Sequence, residues 1–205
     1  GYLCAALPPE TAPSPEEQQA FYHGTRLATL AIETRRLYSD LVHRSEFDLL
    51  TDIHNRFSLE KHLDALIARA REEAGIFGLI YVDLDEFKQV NDVYGHRVGD
   101  LYLQEVSARM KRQLRAHDIL ARLGGDEFAI LVPGARTRGD VQEVALRLER
   151  CFNEPFTSEG CTLESSASVG IALYPHDGDT RDGLLSSADA AMYVAKHTAG
   201  SIRKR

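Results

Sequence analysis

RLGGDEFAIL, residues 122–131, sets two glycines and two adjacent acids between two short apolar runs. Phe128, Ile130 and Val132 alternate with Ala129 and Leu131, which is the period of a strand. With DILA, residues 118–121, ahead of it, the stretch reads as strand, tight turn, strand. A tight hairpin demands an antiparallel pair, so the sheet around it is at least partly antiparallel. The same turn leaves Asp126 and Glu127 side by side at its tip. Two adjacent carboxylates repel unless a cation or water compensates them.

Upstream, IFGLIYVDLD (76–85) reads as a buried strand that ends in acids. Before it, Phe57, Leu59, Leu63, Leu66, Ile67 and Ala70 recur at helical spacing, and Gly75 stops that helix. Asp48 to Asn55 is a turn-rich break. Pro15 to about Phe47 is helical, with Leu27, Leu30, Leu37 and Leu41 spaced as an a/d seam and Thr34 in the intervening place. That helix either packs on its own domain or pairs with its copy in a dimer. Downstream of the first strand, Leu103, Val106, Met110 and Leu114 predict one helix over about 86–115. Beyond the hairpin come a helix in VQEVALRLERCF (141–152), a strand region in TLESSASVGIALYP (162–175) and a last helix over 181–198. From Phe57 onward the order is α, β, α, β, β, α, β, α. The expected fold is α+β, with helices over a mainly antiparallel central sheet and a long helix in front.

The chain has 205 residues, is 43% hydrophobic and 27% charged, and carries a formal net charge of -7. Its length suits one full domain and an appendage. The acidic balance argues against a nucleic-acid groove, and so against a polymerase, but not against a nucleotide whose phosphates are neutralised locally. No apolar run approaches the roughly 18–20 residues that span a bilayer. Cys4, Cys151 and Cys161 have neither zinc-ligand spacing nor a disulfide framework, and read as reduced thiols of a cytoplasmic protein. The opening, GYLCAALPPE, with four of the seven prolines in its first 15 residues, reads as the end of a preceding domain. The expected division is 1–15 for that tail, 16–47 for a signalling helix and 48–205 for the catalytic domain.

If the strand ending at Asp83 neighbours the hairpin, three carboxylates meet at one sheet edge: Asp83, Asp126 and Glu127. Mg²⁺ would relieve that repulsion, since it takes one or two carboxylates together with backbone oxygens, water and substrate phosphates. Solvated turn acids are the plain alternative, with Asp85 serving as the N-cap of the next helix. Gly124 and Gly125 let a phosphate come near the backbone, though any tight hairpin needs them too. Lys88 stands near a helix start, where an anion is favoured. Asn91 and Asp100 together suit the edge of guanine, and His96 lies between them. A helix break with local capping would also account for Asn91-Asp92 and Gly95-His96.

RLGGDEF together with DLDEFKQVNDVYGHRVGD (83–100) resembles the GGDEF family of diguanylate cyclases. The resemblance covers about residues 46–199. It includes an opening DxLT…NR motif at Asp48, Leu50, Thr51, Asn55 and Arg56, and a closing ADAAMYVAK at 188–196. It implies a palm-like, ferredoxin-like fold shared with nucleotide cyclases. It implies Mg²⁺ (or Mn²⁺) held by Asp83, the carbonyl of Leu84, Asp126 and Glu127, with Glu127 alternatively the base toward a 3′-hydroxyl. By the same resemblance Asn91 and Asp100 read guanine, His96 lines the nucleotide pocket, and Lys88 and Lys196 hold phosphates. The implied reaction joins two GTP into cyclic di-GMP with loss of pyrophosphate, in a homodimer assembled through the N-terminal helix. ETRRLYSDL (33–41) resembles the exit helix of a GAF-type sensor domain.

RAHD (115–118) stands upstream of the turn at the spacing of the family's RxxD inhibitory site, so Arg115 and Asp118 are expected to grip the cyclic dinucleotide product. The end departs from the family: Gly200 stands where a phosphate-binding arginine is expected, with Arg203 as a possible substitute. The rival readings are a non-catalytic cyclic di-GMP receptor and a cyclase of altered base preference. Retention of Asp126 and Glu127 speaks against the first, and Asp100 against the second.

Overall fold

The structure, a computed structural model, describes residues 12–158 and 160–202. The expected sensor-domain tail falls almost wholly outside these, as do Cys4 and Arg203. The chain divides into two units, one up to Arg44 and one from Ser45 onward.

Helix α1 runs Pro15–Glu46, as its periodicity predicts. The seam residues Leu27, Leu30, Leu37 and Leu41 are all exposed. Among the described residues no helix is long and apolar enough to cross a membrane.

In the second unit the elements are β1 (His54–Asn55), α2 (Arg56–Glu73), β2 (Phe77–Leu84), α3 (Phe87–Tyr94), α4 (His96–Gln113), β3 (Ile119–Gly124), β4 (Glu127–Val132), α5 (Arg138–Arg150), β5 (Phe156–Ser158), β6 (Cys161–Leu163), β7 (Ala167–Tyr174) and α6 (Arg181–Ile202). Five strands form the main sheet in the order β1-β3-β4-β2-β7, and β5-β6 is a separate hairpin. Only the short β1–β3 pair is parallel; β3–β4, β4–β2 and β2–β7 are antiparallel. The expected α+β fold with a mainly antiparallel sheet is what forms.

β2 is buried along its whole length because helices cover both faces of the sheet. Successive side chains alternate. Phe77, Leu79 and Tyr81 join Leu59, Leu63 and Ile67 of α2 and Leu184, Ala188 and Met192 of α6. Ile80, Val82 and Leu84 join Leu103, Val106 and Met110 of α4 and Val141, Val144 and Leu148 of α5. Asp83 is therefore carried on the α2–α6 face of the sheet, at the strand's end.

Local chemistry sets the element ends. Asn55 caps α2, its side chain accepting from the Ser58 amide at 2.9 Å. Thr137 and Asp140 form a reciprocal capping box on α5. The single helix expected over 86–115 is two helices, because Gly95 takes φ 82, a value that ends α3 and starts α4. Phe57, expected on the apolar face of α2, is 61% exposed. The strand region expected at 162–175 is interrupted at 164–166, giving β6 and β7. Asp85 is not the cap of α3: Glu86 holds that place, and the Asp85 carboxylate accepts from the hydroxyls of Ser166 (2.6 Å) and Ser168 (2.7 Å).

Candidate active site

The hairpin and β2 end together at one edge of the sheet. Asp83 stands opposite Glu127 in the β2–β4 register, and the Leu84 amide donates to the Asp126 carbonyl at 3.2 Å. Asp83, Leu84, Asp126 and Glu127 are thus brought together, as the convergence of the two strands predicts. Gly125 turns the chain with φ 54, and a methyl at Gly124 or Gly125 would meet nothing within 4 Å. The backbone of the turn is open to an approaching group.

Lys196, about four turns into α6, reaches back to this edge and bonds Asp83 Oδ1 at 2.5 Å. Burial pushes the Asp83 carboxyl above its ordinary value; the carboxylates of Asp126 and Asp85 push the same way, and the Lys196 ammonium pulls back without reversing it. Burial works against the charge on Lys196, yet Asp83, Asp85 and Asp126 hold its pKa above the usual lysine value. The first shift is mainly the cost of burying a charge, and the second is the pull of three carboxylates on one ammonium. Tyr81, two residues before Asp83 and on the same face, is pushed up to about 12, first by burial and then by the Glu127 charge.

Two arginines support the turn from behind. Arg122 Nε and Nη2 both donate to the Gly125 carbonyl, at 2.9 and 2.8 Å, and its Nη1 reaches Asp48 Oδ1 at 3.2 Å. Arg56 Nε donates to the Leu123 carbonyl at 3.2 Å. Asp48 Oδ1 also accepts from the Thr51 hydroxyl and amide, at 2.6 and 2.9 Å. Although burial raises it, these Thr51 bonds and the Arg122 guanidinium hold the Asp48 carboxyl below its ordinary value. The positioning role of Arg122 and the place of Tyr81 beside Glu127 are not visible as such in the sequence. A lone arginine between Ala121 and Leu123, and a lone hydroxyl inside FGLIYVDL, are the signals that mark them.

Arg122→Met is expected to cost about 2 kcal/mol, because it leaves both a half-buried carboxylate and the Gly125 carbonyl without their partner. Turnover should fall about 10–100-fold as the turn acids lose their support. The depressed Asp48 carboxyl contributes stability above the ordinary carboxyl range, and that contribution is lost as pH falls through its lowered value. Melting curves across pH should therefore show the acid limb moving toward neutrality in the variant; an unchanged limb would contradict the clamp.

The remaining expected residues lie on α3 and α4. Lys88, His96 and Asp100 are exposed and Asn91 is half-buried. Asn91 rests against Gly99, where a Cβ would lie 2.1 Å from its Oδ1. Arg115 and Asp118 sit apart from this edge, between α4 and β3. Asp118 Oδ2 accepts from the Arg115 amide at 2.8 Å, while its buried Oδ1 has no hydrogen-bond partner. Arg115, Asp118, Arg136 and Arg147 share the wall of a cleft of about 290 Å³. A larger cleft of about 610 Å³ includes none of the expected site residues.

This fold, with paired acids on a Gly-Gly hairpin beside a third strand-end acid, has known counterparts. The family described as "Diguanylate cyclase, GGDEF domain" matches residues 45–201. The chain belongs to the GGDEF family. The domain is 43% identical over 171 residues to the bifunctional diguanylate cyclase/cyclic di-GMP phosphodiesterase MucR of Pseudomonas aeruginosa, covering 83% of this chain and 25% of MucR. The chain thus spans about a quarter of that relative's length. Its fold matches the crystal structure of the GGDEF domain of PA1120 (YfiN or TpbB) from Pseudomonas aeruginosa, with TM-score 0.70 and 38% identity, over 72% of this chain and 92% of that one. It also matches the coiled coil and GGDEF domain of DgcB from Caulobacter crescentus in complex with c-di-GMP, with TM-score 0.72 and 28% identity, over 85% and 94% of the two chains. Among the described residues of this GGDEF domain, no three His, Cys, Asp or Glu side chains form a ready metal cage.

Proposed function

We propose that residues 48–205 are the catalytic domain of a diguanylate cyclase, which condenses two GTP into cyclic di-GMP. The observation that carries this reading is the sheet edge itself: Asp83 opposite Glu127, Asp126 bonded to Leu84, and Lys196 drawn to Asp83.

The donor set fits Mg²⁺ or Mn²⁺. Asp83, the Leu84 carbonyl, Asp126 and Glu127 offer only hard oxygens, and Asp83 is raised first by burial and then by the charges of Asp126 and Asp85. A preformed cage is not required, because Mg²⁺ keeps several waters and shares its shell with phosphates. Bound there, a divalent ion would neutralise phosphate charge and acidify a coordinated hydroxyl.

The chain's own residues do the rest. The open turn at Gly124 and Gly125 receives phosphate oxygens. Lys88 at the start of α3 and Lys196 on α6 supply positive charge to them. Asn91 and Asp100 accept and donate along the guanine edge, with His96 beside it. Glu127 takes the proton of the attacking 3′-hydroxyl. In each half-reaction a 3′-oxygen forms a bond to the α-phosphorus of the other nucleotide, and the bond to the β-phosphate breaks to release pyrophosphate. Most of the acceleration comes from positioning and charge stabilisation.

One domain holds one GTP, so two must face each other. The exposed Leu27, Leu30, Leu37 and Leu41 of α1 support a homodimer joined through residues 16–47, with the sensor signal entering by that helix.

Pyrophosphate release from GTP in the presence of Mg²⁺ tests the reading. The wild type should turn over, and Asp126→Ala should be at least about 10³-fold slower. Equal rates for the two would refute the role of the turn.

The RxxD pair is proposed to bind the product. Three arginines line the cleft with Asp118, whose Oδ1 makes no hydrogen bond, and together they suit two phosphates and a guanine N–H. Arg115→Ala should raise the cyclic di-GMP concentration for half-inhibition at least about tenfold, with the initial rate unchanged. Inhibition curves that superimpose would remove this site.

A further inference from the structure

Helix α3 has two working faces. At about 100° per residue, Lys88 and Asn91 project to one side, and Gln89, Val90, Val93 and Tyr94 to the other. The second face walls the 610 Å³ cleft, which is also lined by Tyr102 of α4, the segment after α5, and β6 with the residues that follow it. That volume lies within the range of small-molecule sites.

The chemistry of this wall is one-sided. It carries three carboxylates, Asp85, Glu86 and Glu164, and no lysine, arginine or histidine among the described residues. None of the ion pairs among the described residues engages Glu86 or Glu164. The nearby Arg109 is committed elsewhere, to Glu105 and to the carbonyls of Cys151, Glu154 and Pro155.

A second observation points to a ligand. Tyr102 lines the cleft, is only 2% exposed, and its hydroxyl makes no hydrogen bond. Ser165, the Arg109 guanidinium and the Asp85 carboxylate are the polar groups around it, Ser165 and Asp85 being part of the wall. A buried hydroxyl left unpaired is costly, so an occupant that satisfies it is favoured. Hydroxyl, carboxylate and side-chain amide oxygens can all accept. A donor-only group therefore fits best, and an ammonium presents three donors and no acceptor. Val90, Val93 and Phe152 offer an apolar track for a methylene stem, and Tyr94 a ring face for a cation.

We propose that this cleft binds a small aliphatic polyamine, with its ammonium groups on Glu164, Asp85 and the Tyr102 hydroxyl. Asp85 also acts on Asp83 and Lys196 at the sheet edge, but Glu164 and Tyr102, the residues tested, are not among the residues of that edge.

Calorimetric titration of the whole chain with spermidine is the test. Saturable binding is expected, weakened at least about tenfold by Glu164→Gln and about three- to tenfold by Tyr102→Phe. The exposed Glu72 of α2 lies outside the cleft, so Glu72→Gln should bind as the wild type does. Circular dichroism confirms that each variant is folded. Absence of saturable binding would overturn the proposal. So would equal weakening by Glu72→Gln and Glu164→Gln, which would mean diffuse attraction to an acidic protein. Binding of N-acetyl-lysinamide but not spermidine would assign the cleft to a protein side chain, and would overturn the free-amine reading as well.

Discussion

Asp83→Asn is expected to reduce cyclic di-GMP formation by at least about 10³-fold while leaving the melting temperature at or above that of the wild type. The two halves of this result have one cause. Asp83 is buried at the end of β2 and faces the charges of Asp126 and Asp85. Its carboxyl is raised, so the folded state holds the proton more tightly than the unfolded chain does. Stability then falls as pH rises from the ordinary aspartate value through the raised one, and at neutral pH the ionised group is a burden on the fold. Asparagine keeps the shape and removes the charge. Lys196 loses its 2.5 Å partner but is 41% exposed, and it still has Asp85 and Asp126 within its field. The same substitution removes one of the oxygens proposed to hold the divalent ion. A thermal melt and a product assay on the same sample check both halves. A drop of more than about 5 °C would mean that the ion pair outweighs the repulsion, and a rate within tenfold of wild type would remove Asp83 from the site.

Gly170→Ala should be the most damaging small substitution for the fold. Gly170 sits in the middle of β7, opposite Tyr81. A Cβ there would lie 2.1 Å from the Ala188 carbonyl oxygen and 2.2 Å from the Met192 amide nitrogen. Both belong to the backbone of α6, which cannot swing aside as a side chain can. Overpacking of this kind costs about 3 kcal/mol, which lowers the melting temperature by about 6–12 °C in a domain of this size. Because α6 carries Lys196, turnover should fall even below the melting transition. Gly139→Ala is the matched control. A methyl there meets only Thr137 Oγ1, at 3.5 Å, so no loss is expected. Equal melting temperatures for Gly170→Ala and the wild type would show that α6 can lift from the sheet without cost.

What could be read without the structure was what repeats or contrasts locally. FGLIYV is apolar and is followed by acids, so a buried strand ending in acids is legible. The hairpin followed from its two alternating runs around Gly124 and Gly125. With those strands as neighbours, the acids converge. What escaped depends on residues far apart in the chain. Arg122 meets Asp48 across 74 positions, and Asp85 meets Ser166 across 81. No local pattern encodes either bond. The two residues of β1 are too few to show an alternation, and they become a strand only by pairing with Ala121 and Arg122. The break at Gly95 turns on a single backbone angle, which the apolar period of α4 does not register. Phe57 lies within a helical period yet faces solvent, because periodicity says that a side belongs together and not how far the cover extends. Lys196 was reached only through the family motif; its bond to Asp83 needs the return of α6 over the sheet.

The central claim is that two nucleotides are joined by this GGDEF domain. The most direct measurement uses the purified chain, stripped of bound nucleotide and confirmed as a dimer, incubated with GTP and Mg²⁺, with the products identified by mass spectrometry. The expected product is cyclic di-GMP with two pyrophosphates for each molecule formed, absent with Asp126→Ala. A stripped dimer that yields neither cyclic nor linear dinucleotide, yet still binds cyclic di-GMP, would contradict the claim and leave the domain a receptor.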